Sequence, residues 1–245
     1  MRDKDLDFVN AVKLINNGDY SEAKVQEITK VKYELNKGFK EIKDMTKSFN
    51  YLTKDRKIDQ QLVSNLITSG HIKEDKNNNV VFLWKNTQNQ VVGSDKVGTS
   101  AKRFKGIDAG SDSRYGFSFK RGTPNDLYVF ESAIDAMSYV SLNKNISGEF
   151  VSMNGLKRDT LLSNIVLFKE KYNKNPENVY VGVDNDQPAK EFFKSLPKLQ
   201  FKDTEKDVKY NYLVPDEILG KDWNDVLKKK TMKIKSHLEN EGLSI

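Results

Sequence analysis

The sequence predicts an α/β protein in which a parallel sheet is flanked by helices, preceded by a small basic α+β module and a helical N-terminal prefix. Three observations predict this fold. Four apolar runs alternate with helical stretches from Leu127 onward, two apolar runs flank a turn after Asn79, and apolar residues recur at helical spacing near the N-terminus. With 245 residues, 37% of them hydrophobic, the chain has enough apolar side chains for a sizeable core.

The prefix, residues 1–48, is predicted to be helical. Its first apolar residues recur three and four positions apart, as on one side of an amphipathic helix: Phe8, Val9, Val12 and Ile15. A second helix is predicted from Ser21 through Leu35 toward Gly38. We expect this prefix to pack on the module that follows it.

Residues 49–125 are predicted to form the α+β module. Apolar residues over 58–67 follow helical spacing and end near Gly70, which suits a C-terminal cap. The apolar runs at 80–84 and 90–93 flank a turn-rich segment, as the strands of a hairpin do. Several glycine-containing loops follow the second run.

Residues 126–245 are predicted to form the parallel sheet with its helices. Each predicted strand is followed by a predicted helix, which is the pattern of parallel sheets. The pairs are Leu127–Phe130 with Ala133–Leu142, Phe150–Met153 with Leu161–Tyr172, Val179–Val183 with Ala189–Leu196, and Val208–Val214 with the stretch from Trp223 to about Leu238.

Composition excludes several kinds of chemistry. The absence of Cys excludes disulfides, thiol catalysis and cysteine-ligated metal centres, and only two distant histidines, His71 and His237, are present. The chemistry must therefore use carboxylates, Lys, Arg, hydroxyl groups or bound ions. No apolar run approaches about 18 residues and none follows a basic start, so we expect no membrane helix or signal peptide and a cytoplasmic location.

The positive charge is concentrated in one segment. The formal net charge is +6, but Lys and Asn are both so frequent that an AT-rich genome accounts for much of it. The segment from Val80 to Arg121 contains three acidic residues and eight basic ones, which are Lys85, Lys96, Lys102, Arg103, Lys105, Arg114, Lys120 and Arg121. This segment is a candidate for phosphate contacts, although an ordinary solvated surface explains the same charges.

Acidic residues follow three of the predicted strands. Glu131 ends the first strand, Asp184 and Asp186 follow the third, and Asp222 and Asp225 follow the last. Because ligands of open α/β sheets bind at the carboxyl ends of the strands, we expect these carboxylates to converge. Converging carboxylates repel unless they hold protons or a cation, and oxygen ligands favour Mg²⁺ or Mn²⁺. A helix N-cap is the alternative for Asp186, since Pro188 suits a first helical turn.

Four segments together resemble the Toprim domain of bacterial primases and of their plasmid and phage relatives. In order they are Phe130-Glu131-Ser132-Ala133-Ile134-Asp135-Ala136, Val151-Ser152-Met153-Asn154-Gly155, Val183-Asp184-Asn185-Asp186 and Lys221-Asp222-Trp223-Asn224-Asp225. The resemblance covers roughly residues 126 to 230. It implies a Rossmann-like Toprim fold in which the strand-end Glu and the Asp-x-Asp pair are metal-binding catalytic acids.

The resemblance implies a role for each of these acids. Glu131, Asp184 and Asp186 would be the catalytic residues that hold Mg²⁺ or Mn²⁺, and Asp135 and Asp222 would assist.

More loosely, the preceding segment is similar to the basic subdomain of primases, which helps to guide template and nucleotide. Contacts to template or triphosphate are therefore predicted for Lys102, Arg103, Lys105 and Arg114. Base stacking is an option for Phe104, Tyr115, Phe117 and Phe119, although aromatic residues in strands are more often in the core.

The sequence also departs from typical primases. Ser132 stands where primases usually carry Gly, and Pro188-Ala189 replaces the usual Ala-Gly after the Asp pair. Both changes leave the carboxylates intact and bear on how closely a phosphate approaches the backbone. The sequence has no Cys and therefore lacks the Cys-rich zinc module that binds template in typical primases.

The sequence therefore leaves three functions open. The first is a primase-like nucleotidyltransferase of a mobile element, which acts on single-stranded DNA with NTPs and has a helicase or another replication protein as a partner. The second is phosphodiester hydrolysis, because Toprim domains also occur in nucleases. The third is a non-catalytic accessory protein that binds single-stranded DNA.

Overall fold

The computed structural model describes residues 32–35, 38–100 and 104–240. In these residues no helix is both long and apolar enough to cross a membrane. The first predicted helix of the prefix lies outside the described residues. The end of the second, at 32–35, has no regular secondary structure, which contradicts the prediction of a helix through Leu35.

Short helical elements begin the described part of the chain. A 3₁₀ turn (Ile42–Asp44) leads into α1 (Thr46–Asn50), a π-helical turn (Tyr51–Asp55) and α2 (Gln60–Thr68). The side chain of Asp59 caps α2 by accepting a hydrogen bond from the Leu62 backbone N–H at 3.0 Å. Gly70 adopts a positive φ of 67° just after α2, where glycine avoids the strain of a side chain.

Four antiparallel strands form the first sheet, in the order β1-β2-β3-β4. The predicted hairpin is its centre, because β2 and β3 pair along most of their length. The two outer strands are short and were not predicted from the sequence. The bounds are β1 (Ile72–Glu74), β2 (Val80–Lys85), β3 (Val91–Val97) and β4 (Lys105–Ile107).

Five strands form the second sheet, in the order β5-β7-β6-β8-β9. The four strands β6 to β9 are parallel, as predicted, and β5 pairs with β7 in the antiparallel direction at one edge. The bounds are β5 (Ser118–Arg121), β6 (Leu127–Phe130), β7 (Gly148–Ser152), β8 (Val179–Gly182) and β9 (Tyr210–Leu213). This mixed α/β architecture confirms the predicted fold class.

A helix follows each parallel strand, which confirms the predicted alternation. These helices are α3 (Ala133–Leu142), α4 (Arg158–Tyr172), α5 (Gln187–Lys194) and α6 (Trp223–Asn240). Alternate residues of β6 enter two different cores. Leu127 and Val129 pack in a cluster with residues of α4 and α5, whereas Tyr128 and Phe130 pack in a cluster with α3 and α6.

The second of these clusters joins the two sheets into one core. It also contains Phe82 and Trp84 of β2 and the segment before β5. Four aromatic rings stack across neighbouring strands of the second sheet, with centroid distances of 4.5, 4.9 and 5.4 Å along the row Tyr180, Tyr128, Phe150 and Phe119. The carboxyl ends of β6 and β8 are therefore held on a rigid, fully packed support.

Candidate metal and nucleic-acid site

The carboxyl ends of β6 and β8 carry the first two predicted acids side by side. The backbone N–H of Glu131 donates to the Gly182 carbonyl oxygen at 3.0 Å, which extends the pairing of β6 and β8 past their last strand residues. On the other side, the Gly155 N–H donates to the Glu131 carbonyl oxygen at 2.8 Å. The topology therefore brings Glu131 and Asp184 together from positions 53 residues apart in the chain.

Asp135 lies in the first turn of α3, four residues after Glu131 in the chain. Its side chain is buried, and the Ser132 hydroxyl contacts its Oδ2 at 2.5 Å. The same hydroxyl oxygen accepts a hydrogen bond from the Asp135 backbone N–H at 3.2 Å, so Ser132 is the N-cap of α3. The serine that departs from the usual primase glycine thus fixes both the helix start and the Asp135 carboxylate.

Asp186 is placed differently from the other acids. Its Oδ1 accepts a hydrogen bond from the Ala189 N–H at 3.0 Å and so caps α5, as the alternative interpretation predicted. Its Oδ2 lies 3.2 Å from the Lys221 ammonium. Both oxygens of Asp186 are therefore engaged within the protein.

Asp222 lies at the start of α6, on the loop that returns to the same edge. Its Oδ1 accepts a hydrogen bond from the Asp225 N–H at 2.7 Å. One residue earlier, the Lys221 carbonyl oxygen accepts a hydrogen bond from the Asn185 N–H at 2.8 Å, which ties this loop to the segment between Asp184 and Asp186.

The electrostatics of these acids show that they share one environment. Burial, followed by repulsion from Glu131, Asp135 and Asp222, raises the pKa of Asp184 to about 7. Burial and the Asp222 carboxylate raise the pKa of Asp135 to about 6. Burial and repulsion from Asp186 raise the pKa of Glu131 as well.

The pKa values of Asp186 and Lys221 shift in the direction that favours the charged form of each side chain. The pKa of Asp186 is lowered, first by the Ala189 N–H and also by Lys221. The pKa of Lys221 is raised by Asp186, Asp184 and Glu131. The Lys221 ammonium is therefore a positive charge among the negative charges of the site, although its side chain is 62% exposed.

The carboxylate oxygens of these acids are chemically suited to a hard divalent cation, but the side chains do not surround a common position. Partly buried carboxylates with raised pKa values gain from a cation that replaces protons, and oxygen donors suit Mg²⁺ or Mn²⁺. Across residues 32–35, 38–100 and 104–240, however, no three acidic or histidine side chains form a group that could hold a metal ion as they stand. The engagement of Asp186 with α5 and Lys221 is the clearest departure from such a group.

The four basic residues predicted to contact template or triphosphate differ in their surroundings. Lys105, on β4 of the first sheet, is exposed, and its charge acts on Glu131 and Asp135. Arg114 forms an ion pair with Asp112 at 2.7 Å and lies over the Tyr115 ring at 5.6 Å. Lys102 and Arg103 lie outside the described residues. The charge of Lys105 therefore favours the ionised forms of Glu131 and Asp135, whereas Arg114 has an acidic partner of its own.

Among the aromatic candidates, Phe104 alone is strongly exposed, with 50% of its surface accessible. Phe117 and Phe119 are core residues with 0% and 4% exposure, and Tyr115 is partly buried. Sequence reasoning assigned no role to two further residues near the acids, Lys221 and Asn224. Both stand inside the Toprim-like segment 221–225, so their position beside Asp222 was the signal that could have found them.

Two family models match successive parts of the chain. Residues 50–124 match a family described as a protein of unknown function, DUF3991. Residues 128–227 match a family described as Toprim-like. The strand-end acids that the structure brings together all lie within the second match.

Two relatives extend this comparison. An uncharacterized protein of Bacillus anthracis, pXO2-78, is 33% identical over 245 residues, which cover 92% of this chain and 70% of that protein. A 65 kDa protein of Zymomonas mobilis subsp. mobilis is 33% identical over 169 residues, which cover 64% of this chain and 27% of that protein.

Solved structures resemble the fold at low sequence identity. One of them is a chain in the structure of bacteriophage T7 lagging-strand DNA polymerase interacting with primase domains of two gp4 subunits bound to an RNA/DNA hybrid and dTTP. The match has a TM-score of 0.50 at 13% identity and covers 74% of this chain and 87% of that chain. The DnaG catalytic core has a TM-score of 0.49 at 13% identity, covering 82% of this chain and 74% of that chain.

Proposed function

This chain belongs to the same family as pXO2-78 of Bacillus anthracis and carries a Toprim-like domain, and on that premise we propose that it is a primase-like nucleotidyltransferase. It would act on single-stranded DNA templates with NTPs and a divalent metal ion. One observation carries the proposal: Glu131 and Asp184 follow the paired parallel strands β6 and β8 at their carboxyl ends, and the hydrogen bond from the Asn185 N–H to the Lys221 carbonyl oxygen ties the segment before Asp222 to the same edge.

Glu131, Asp184 and Asp186 would hold the Mg²⁺ or Mn²⁺ ion, with Asp135 and Asp222 in support. When bound, such an ion polarises a phosphoryl oxygen and neutralises charge. Asp186 must first exchange Lys221 for the ion, since its two oxygens are engaged in the present arrangement. Asp135 is held by the Ser132 hydroxyl rather than by a cation, so it has no ammonium group to release.

Basic and aromatic residues of the first module would guide the nucleic acid to these acids. Lys105 supports this assignment because its charge acts on Glu131 and Asp135. A phosphate near Lys105 would therefore lie within reach of the acids. Lys102 and Arg103 precede it in the chain and are proposed for the same role, as is Arg114. Phe104 is exposed and available to stack on a base.

Primer synthesis tests the proposal. The purified chain is mixed with unprimed single-stranded DNA, labelled NTPs and Mg²⁺ or Mn²⁺, and the products are separated by length. We expect labelled oligonucleotides from the wild type and their loss, by about 100-fold or more, from Glu131→Gln and Asp184→Asn. Glu177→Gln is the matched control, because this exposed acid lies two residues before β8, at the opposite end of that strand from Asp184.

Other outcomes assign the other functions. A shortened template without labelled product would make the chain a nuclease, and binding of the template without either product would make it an accessory protein. Synthesis that continues unchanged in Glu131→Gln would contradict the assignment of the acids. A helicase or another replication protein remains a proposed partner, and the pXO2 designation of the Bacillus anthracis relative is in keeping with a mobile element.

A further inference from the structure

The second half of α6 has a high density of positive charge. Residues 228–237 contain five Lys and no acidic residue, whereas Lys accounts for 35 of the 245 residues of the chain. At that overall frequency, ten residues would hold between one and two Lys, so the general excess of Lys does not explain this segment. The start of the same helix is acidic, because Asp222 and Asp225 stand there. The charge of α6 therefore changes sign along its length.

The lysines of this segment lie where α6 leaves the core. Asn224 and Leu227 are 1% and 6% exposed, so the start of the helix is packed on the protein. Beyond Leu227, the side chains of Lys229, Lys230 and Lys233 are exposed. They share one side of α6, because they lie one, three and four positions from each other. We call these three residues the basic side of α6. Their ammonium groups are open to a ligand without any rearrangement of the fold.

Lys230 and Lys233 lack the acidic neighbours that stabilise the solvated side of a helix. An acid three or four positions away would pair with a lysine. The residues at those positions, apart from Lys230 and Lys233 themselves, are Val226, Leu227, Lys229, Ile234, Ser236 and His237. Within the described part of the chain, neither ammonium group forms an ion pair. Lys230 and Lys233 stand three positions apart, so their charges repel each other, and a bound anion would relieve this repulsion.

Hydrogen bonds connect the basic side of α6 with the edge of the sheet that carries the acids. The Lys229 ammonium donates to the Ile218 carbonyl oxygen at 3.3 Å, in the loop between β9 and α6. The Asn185 side-chain amide donates to the Pro215 carbonyl oxygen of the same loop at 3.2 Å. Asn185 stands between the two acids of the Asp-x-Asp pair. Lys233 lies one turn beyond Lys229, about 6 Å further along the helix axis. The basic side therefore begins beside this loop and leads away from the acids.

The apolar residues of the same segment distinguish between kinds of partner. Met232 and Ile234 are 59% and 61% exposed. They lie two positions apart, and residues at that spacing do not share a side of a helix. A hydrophobic groove of a protein or a membrane surface needs one continuous apolar side, so neither matches this segment. A polyanion needs only the ammonium groups, and nucleic-acid phosphates supply such a charge.

We propose that Lys229, Lys230 and Lys233 bind the phosphate backbone of the single-stranded DNA template where the strand leaves the acids. The inference rests on the proposed function for the presence of a single strand at this edge, but it does not require nucleotidyl transfer. It adds a phosphate-binding surface on the Toprim-like domain to the surface proposed for the first module. Binding there is independent of sequence, because phosphate contacts do not read bases.

Binding of fluorescently labelled oligo(dT), followed by fluorescence anisotropy at several salt concentrations, tests the proposal. We expect the double variant Lys230→Gln/Lys233→Gln to bind about 10-fold or more weakly than the wild type at about 0.1 M salt. The slope of log affinity against log salt should become shallower by about 1.4, because each lost contact to a single strand removes about 0.7. The double variant Lys230→Arg/Lys233→Arg keeps both charges and should bind like the wild type.

Lys202→Gln/Lys206→Gln is the matched control, because it removes the same two charges from exposed lysines. Both residues precede β9 and so lie toward the amino end of that strand, whereas the acids follow the carboxyl ends of β6 and β8. We expect this control to bind oligo(dT) like the wild type. Gln and Lys have similar helix propensities, so circular dichroism should show the same helix content in the wild type and in the α6 variant.

The outcomes separate this inference from the proposed function. Wild-type affinity and salt slope in Lys230→Gln/Lys233→Gln would overturn the inference alone. An equal loss of affinity in Lys202→Gln/Lys206→Gln would also overturn it, because the effect would then be one of net charge. A wild type that binds oligo(dT) through Lys230 and Lys233 but makes no primer would support the inference and contradict nucleotidyl transfer. A wild type that binds no single-stranded DNA would overturn both.

Discussion

Replacement of Asp184 by Asn should stabilise the protein when no divalent ion is present. Burial, followed by repulsion from three other acids, raises the pKa of Asp184 from an ordinary 3.8 to about 7. A carboxylate whose pKa is raised by folding supports the fold fully below pH 4, and this support is lost as the pH rises through 7. At pH 8 the wild type therefore bears the full cost of the Asp184 charge, whereas the neutral amide of the Asp184→Asn variant does not.

The size of this effect follows from the pKa values. One unit of pKa corresponds to about 1.4 kcal/mol, so the rise of Asp184 sets an upper limit of about 4 kcal/mol. Asp184 is only partly buried, and solvent screening reduces this to about 1–2 kcal/mol. For a chain of this length the unfolding temperature should rise by about 3–6 °C at pH 8. At pH 5 the difference should be much smaller.

Thermal unfolding in EDTA and in saturating Mn²⁺ measures both halves of this prediction. In EDTA at pH 8, Asp184→Asn should be more stable than the wild type. In Mn²⁺ the order should reverse, because an ion at 100 times its dissociation constant adds about 2.7 kcal/mol to the wild type alone. The control is Asp186→Ala, which loses the cap of α5 and should be less stable by about 1 kcal/mol. An Asp184→Asn variant that is no more stable than the wild type in EDTA at pH 8 would refute the reasoning.

Three further predictions concern the support of the site. Gly182→Ala should lower stability by about 1–3 kcal/mol in urea unfolding, because the added Cβ would clash with the buried Phe130 ring. Phe130→Leu should relieve part of that cost, and an unchanged unfolding midpoint in Gly182→Ala would contradict the packing. Burial raises the pKa of Asp95 to about 7, so the stability of the wild type should fall as the pH rises from 4 to 7. Asp95→Asn should flatten this pH dependence while keeping an oxygen that accepts the Trp84 hydrogen bond. An unaltered pH profile of stability in Asp95→Asn would count against this prediction. Glu74→Ala should lower the free energy of unfolding by about 2–3 kcal/mol, because the fully buried Glu74 side chain accepts hydrogen bonds from a lysine and a backbone N–H. A loss below about 0.5 kcal/mol would show that these hydrogen bonds do not stabilise the fold.

The alternation of apolar runs and helical stretches predicted the second sheet well. Strands that are buried on both faces, such as β6 and β7, have continuous apolar sequences. Each predicted strand was followed by a helical stretch, and this alternation also indicated the partly exposed edge strand β9. The edge strand β5 was not predicted, because Ser118–Arg121 is short and polar at three of its four positions. The strands β1 and β4 have three residues each and depend on pairing with β2 and β3 rather than on their own sequence.

The candidate site was predicted where backbone topology alone decides position. Glu131 and Asp184 follow neighbouring parallel strands, so their proximity follows from the sheet. The side-chain partners could not be predicted in the same way. Asn224 and Arg56 lie 168 residues apart, and no periodicity in either segment indicates that an amide and a guanidinium will meet. Asp186 shows a further limit, since one carboxylate can serve a helix cap and an ion pair at once.

Mn²⁺ binding followed by electron paramagnetic resonance tests the central claim most directly, because free Mn²⁺ gives a signal that decreases when the ion binds. We predict that the wild type removes Mn²⁺ from the free pool at pH 8 and that Glu131→Gln and Asp184→Asn each weaken this binding at least about 10-fold. A wild type that leaves the free Mn²⁺ signal unchanged, or two variants that bind as well as the wild type, would contradict the claim that these acids form a metal site.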